Sequence, residues 1–135
     1  MTKKLMIVDD LALARLRVRQ AAALPQDTVL ECGTADEALK AVGIFKPDCV
    51  MMGLSRLMPA GLQAIKSIRE TYPQVRVVAV SDCPEANLRR MASAAGASGY
   101  VTTENLSELF LLAAPERLTL RPARRSPARR RHNSF

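Results

Sequence analysis

The stretch that most constrains the fold is Cys49-Val50-Met51-Met52, which follows Lys46-Pro47-Asp48 and ends at Gly53-Leu54. A short uninterrupted apolar run between a Pro-Asp pair and a Gly predicts a strand buried on both faces, a position found mid-sheet in an α/β domain. Four further strands are predicted at residues 3–8, 28–32, 75–80 and 98–102. Helical periodicity fills the gaps. It runs over residues 11–24, from the Thr34-x-x-Glu37 capping box to Phe45, through Leu62, Ile65 and Ile68, over 82–96, and over 106–114. Strands separated by helices of this length run parallel, with right-handed crossovers and helices on both faces. Sites in such sheets form outside the carboxyl ends of the strands, and Gly53 stands at one of those ends.

Local chemistry places the helix boundaries. Asp9-Asp10 ends the first strand and can cap the helix after it, with Arg15, Arg17 and Arg19 on a solvated face. Asp82 is expected to cap the helix that has Pro84 in its first turn, and Asn105 to cap the last helix, which Pro115 ends. On that helix Leu106, Leu109, Phe110 and Ala113 share the sheet-facing stripe, leaving Leu111 and Leu112 outside it.

The net charge of +7 is unevenly spread. Residues 116–135 carry seven Arg against Glu116 alone, whereas residues 1–115 hold 13 basic and 12 acidic residues. A near-neutral domain, 1–115, therefore precedes an Arg/Pro-rich tail, 116–135, that reads as disordered. Its clusters Arg124-Arg125 and Arg129-Arg130-Arg131 can attract nucleic-acid phosphates without sequence specificity, and lone His132 beside them is a poor catalytic candidate. Apolar runs fall far short of the roughly 20 residues that span a bilayer. The run after Lys3-Lys4 is also too short for a signal peptide, so a cytoplasmic protein is expected. Cys32, Cys49 and Cys83 are widely spaced and read as buried reduced thiols.

Residues 3–114 resemble the receiver domain of bacterial two-component response regulators. The landmarks are Asp9-Asp10 after strand one, Pro47-Asp48 before strand three, Gly61 eight positions after Gly53, Ser81 ending strand four, and Gly96-Ala97-Ser98-Gly99-Tyr100-Val101 through strand five. The resemblance implies a flavodoxin-like doubly wound sheet in the order 2-1-3-4-5. It also implies a site in which an acidic pair holds Mg²⁺ and an aspartate ending strand three takes a phosphoryl group from a histidine kinase. A Ser or Thr then closes on that group, a Lys pairs with it, and an aromatic in strand five swings inward. Asp9, Asp10, Ser81 and Tyr100 match these positions, but Gly53 occupies the acceptor position and Thr103 the Lys position. Leu57 stands where the resemblance leads one to expect Pro, so the loop over the pocket should be reshaped.

Glycine has no nucleophile for acyl-phosphate formation. Two carboxylates without a third, and without phosphate, should bind Mg²⁺ only weakly through Asp9 and Asp10. Asp82 could substitute as a carboxylate. Ser81 reads equally as a leftover switch residue or as a strand-end hydroxyl bonded to its own backbone, and Tyr100 as a switch or as half-buried sheet surface. The expectation is a stand-alone, non-enzymatic receiver-like module that requires no cofactor. It would act by contact with a signalling protein such as a histidine kinase or another regulator, or as a homodimer through helix four, strand five and helix five. The alternative is a nucleic-acid-associated protein that binds through its tail.

Overall fold

A computed structural model describes residues 2–55 and 57–114. Strands and helices alternate as β1 (Lys4–Val8), α1 (Ala12–Ala22), β2 (Thr28–Cys32), α2 (Ala35–Phe45), β3 (Cys49–Gly53), α3 (Ala60–Thr71), β4 (Arg76–Ser81), α4 (Ala86–Ala95) and β5 (Gly99–Thr102). A 3-10 helix (Thr103–Glu108) and α5 (Leu109–Ala113) follow. The five strands form one parallel sheet in the order β2-β1-β3-β4-β5, a flavodoxin-like doubly wound fold. The winding reverses between β1 and β3, so the crevice at their carboxyl ends is the switch point of the sheet.

β3 is buried along its whole length, as the apolar run requires. Its alternate side chains feed two cores. Val50 and Met52 pack with α2, α3 and α4, whereas Cys49 and Met51 pack with α1 and α5. Each such side chain contributes about 1.5–3 kcal/mol of transfer free energy. Thr34 caps α2 by accepting the Glu37 N–H at 3.0 Å, while Glu37 Oε1 reaches back to the N–H of Gly33 at 2.7 Å. α4 ends on Gly96 at φ 114°, a conformation that favours glycine.

The carboxy-terminal part departs from the sequence expectation. Residues 103–108 form a 3-10 turn, and Asn105 lies inside it at φ −124°, ψ 38°, donating to Thr102 Oγ1 rather than capping a helix. A 3-10 turn advances side chains by a different angle per residue than an α-helix, so the stripe slips in phase. Leu109 and Ala113 are buried as expected and Leu106 is half-buried. Phe110, however, is exposed, and Leu112 packs inward against Gly99. The Arg76 guanidinium donates to the carbonyls of Leu112 and Ala114, satisfying the end of this short helix. α1 is also shorter than expected, and Leu11 stands at its N-cap with no side-chain cap. The Arg clusters of the tail lie outside the described residues.

Candidate functional site

The site candidates gather at the carboxyl edge. Val8 pairs with Met52 and Gly53 with Val80, so Asp9, Gly53 and Ser81 emerge side by side from β1, β3 and β4. β3 brings no side chain to this edge, because Gly53 ends it. The volume above the glycine is filled from β1. A Cβ built on Gly53 would lie 2.3 Å from Asp9 Oδ2 and 3.1 Å from the Val8 carbonyl. The Asp9 carboxylate therefore occupies the space in which a side chain at residue 53 would begin. It is held there in a turn: Asp9 Oδ1 accepts the Leu11 N–H at 3.1 Å, and the Asp9 carbonyl accepts from Arg15 Nη1 at 2.7 Å. Asp9 is only 8% exposed, whereas Asp10 is exposed on the outer side of the turn. Arg15 also binds Glu31 at 2.8 Å, with Arg19 beside it at 3.5 Å. Of the three arginines expected on a solvated face, two are therefore tied down. Arg17 is exposed and lines a cavity at the edge.

The β4–β5 half is arranged differently. Ser81 is 1% exposed, and its Oγ accepts the Cys83 N–H at 3.0 Å, the local backbone bond open to a strand-end hydroxyl. Tyr100 is 6% exposed and belongs to the core cluster, so the ring is not half-buried sheet surface. Its hydroxyl donates to the Cys83 carbonyl, and the Arg89 guanidinium lies 4.7 Å from the ring centroid. Cys83 thus receives Tyr100 and supplies Ser81 through its two backbone groups, and its own side chain is half-buried rather than buried. Cys32 and Cys49 are buried, and burial pushes the Cys49 thiol up to about 12.

Asp82 does not cap α4, whose N-cap is Glu85 with no side-chain bond. Instead Asp82 Oδ1 accepts from Ser55 Oγ at 2.8 Å, and the Asp82 N–H donates back to Ser55 Oγ at 3.0 Å. This clasp joins the β3–α3 loop to the β4–α4 loop. The former loop contains a cis Met58–Pro59 bond. Sequence reasoning missed Ser55, because a serine in a loop carries no spacing signal. Thr103 is exposed and opens the 3-10 turn beside the cavity.

The described residues include no group of three His, Cys, Asp or Glu side chains that could hold a metal ion. No helix among the described residues is long and apolar enough to cross a membrane.

Residues 5–112 match the family model of the response regulator receiver domain. The chain belongs to the response regulator receiver family. Among curated proteins, this receiver is 34% identical over 102 residues to the response regulator GacA of Pseudomonas syringae pv. syringae, covering 73% of the chain and 47% of GacA. The chain thus spans about half the length of the curated relatives it matches. Among solved structures it resembles a LuxR-family two-component response regulator from Aurantimonas sp. SI85-9A1, at 32% identity and TM-score 0.68, covering 76% of this chain and 74% of the other. A response regulator from Burkholderia pseudomallei, solved with a phosphorylated aspartic acid, calcium and citrate, shares the fold at 22% identity. Its TM-score is 0.71, over 82% of this chain and 65% of that one. As a receiver domain, the chain belongs to two-component signalling.

Proposed function

We propose that this receiver works without phosphoryl transfer at the end of β3 and acts through protein contacts in the cytoplasm, with no catalytic activity of its own. The observation that carries this reading is the Asp9 carboxylate lying over Gly53. No nucleophile stands in line with a donor there, and the carboxylate that would help hold Mg²⁺ fills the gap instead. Asp9 and Asp10 retain at most weak Mg²⁺ affinity, and no cofactor is needed.

A receiver without a phosphoryl group has no internal ligand that distinguishes two switch states, and a conformational change needs such a difference. Ser81 and Tyr100 are accordingly read as remnants of the switch held in one arrangement by Cys83. The partner is a signalling protein, a histidine kinase or another regulator, or a second copy bound through α4, β5 and α5. On that face Met91, Phe110 and Leu111 are exposed.

The test is incubation of the chain with acetyl phosphate and Mg²⁺, followed by intact mass. No gain is expected, and one phosphoryl group per chain, mapped within residues 1–115, would overturn the reading. The seven Arg of residues 116–135 favour a second, additive activity in polyanion binding through Arg124, Arg125 and Arg129–Arg131. Removing residues 116–135 should then abolish salt-sensitive duplex binding. Duplex binding that is insensitive to salt, or absent at low salt, would remove this second activity.

A further inference from the structure

A groove of about 500 Å³ runs along the outer edge of the sheet, between α4 on one side and the 3-10 turn with α5 on the other. β5 is the last strand of the sheet, and Gly99 lines the groove where β5 begins. Leu111 and Leu112 line it from α5. Leu112 packs over Gly99, where even a Cβ would meet its Cδ1 at 3.2 Å, but Leu111 is 66% exposed. Arg89, on the α4 side, is drawn over the Tyr100 ring. The described chain ends at this groove. Ala114 lies two residues beyond Leu112, and the Arg76 guanidinium binds the carbonyls of both. Pro115, Glu116 and Arg117 follow, and then Leu118-Thr119-Leu120, outside the described residues. Apart from the distant Phe135, Leu118 and Leu120 are the large apolar side chains of residues 116–135.

We propose that Leu118 and Leu120 of this same chain dock in the groove against Leu111 and Leu112. Reach is not limiting. Leu111 and Ala114 stand about one helical turn apart, and the four residues from Ala114 to Leu118 span up to about 13 Å. In extended backbone Leu118 and Leu120 point to one side, so both can cover the exposed Leu111 and withdraw apolar surface from water. Tethering selects this occupant over a second copy. A segment joined by so few residues meets the groove at an effective concentration of about millimolar, which a free copy would have to match. Charge agrees with the choice: Glu108 lines the groove, and Arg117 and Arg121 flank the two leucines. A partner or second copy that reads α4, β5 and α5 must then displace residues 118–120 first. The docking needs nothing from the end of β3, so it stands apart from the phosphoryl reading.

The test is limited trypsin digestion of the full chain, following the Arg117–Leu118 bond, with the Arg124–Arg125 bond as internal control. Docking should shield the first bond and leave the second open. Leu111→Ser alters the groove at an exposed position of α5, and Leu120→Ser alters the segment without touching the domain or the cleaved bond. Each should speed cleavage at Arg117 about tenfold, as loss of a buried leucine contact does, with the rate at Arg124 unchanged. Methyl contacts between Leu118 or Leu120 and Leu111 or Leu112, read by nuclear Overhauser effects, should persist on tenfold dilution. Cleavage at Arg117 as fast in the native chain as in the Leu120→Ser variant would overturn the proposal. Shielding that survives Leu111→Ser would place the segment elsewhere and overturn it too. In a mixture of labelled and unlabelled chains, methyl contacts that join different chains would assign the groove to a second copy and overturn it as well.

Discussion

At the carboxyl edge of the sheet, the β1–β3 side presents a carboxylate lying over a glycine, and the β4–β5 side presents a hydroxyl and a phenol tied to the backbone of Cys83. The first side has collapsed into itself: a neighbouring group fills the volume left without a side chain. The second side keeps its parts buried, bonded and in place. Packing accounts for the contrast. Ser81 and Tyr100 are woven into the core between β4, β5 and α4, so replacing them costs stability whether or not they signal. Residue 53 stands at the edge of the sheet, where the Asp9 carboxylate occupies the space above it.

The largest expected effect breaks or upholds the packing half of that contrast. Tyr100→Ala should cost about 3–5 kcal/mol, as large-to-small changes of buried aromatics do. Thr103→Ala, on the exposed turn, should stay within about 0.5 kcal/mol. Urea denaturation of both variants measures this, and a Tyr100→Ala cost near that of Thr103→Ala would show that the ring is not retained for packing.

The next effect concerns β3, which is buried along its whole length. Burial holds the Cys49 thiol neutral, up to about 12 against an ordinary value of 9.0. The unfolded chain releases this proton first as pH rises. The contribution is therefore complete below pH 9 and lost progressively between pH 9 and 12, by a few kcal/mol at most. Stability curves of the native chain and Cys49→Ala should converge in slope below pH 9 and separate above it, with the native chain falling faster. Parallel curves above pH 9 would mean that water reaches β3.

Third in size is the coupling between Gly53 and Asp9. Gly53→Ala forces the Asp9 carboxylate to move and breaks its bond to the Leu11 N–H, at a cost of about 1–3 kcal/mol. In an Asp9→Ala background the clash with the carboxylate is gone and only the 3.1 Å approach to the Val8 carbonyl remains, so the cost should shrink. A coupling energy of about 0.5–3 kcal/mol in the double-mutant cycle is expected. Additive costs would mean that Asp9 does not occupy the gap.

Much of this architecture was legible from the chain. Periodicity and punctuation place five strands, and the connection lengths give a parallel sheet. The family landmarks give its order. Three things were not legible, each for a physical reason. The position of the Asp9 carboxylate depends on a side-chain torsion responding to an empty neighbour, and sequence carries no torsions. Phe110 and Leu112 exchange faces because residues 103–108 wind as a 3-10 turn, which apolar spacing cannot separate from an α-helix over six residues. Asp82 looked like a helix cap because Pro84 follows it. Its partner Ser55 lies 27 residues away, and only the tertiary fold brings them together.

That Ser55–Asp82 clasp gives the smallest predicted effect and the sharpest question, because it is the described side-chain bond that crosses from the β3 side of the edge to the β4 side. Ser55 Oγ is donor to Asp82 Oδ1 and acceptor from the Asp82 N–H. Ser55→Ala removes both bonds, but water can replace them at this exposed site, so the loss should be about 0.5–1 kcal/mol. The informative readout is the Tyr100 ring. Asp82 precedes Cys83, whose carbonyl holds the Tyr100 hydroxyl, so loosening the clasp frees one end of the segment that anchors the ring. If the two sides remain mechanically joined, Ser55→Ala shifts the Tyr100 ring resonances while stability barely changes. If the rings of native chain and variant superimpose, the β4–β5 side is held by its own packing alone, and the covered gap at Gly53 has no path through the clasp to the face that partners would read.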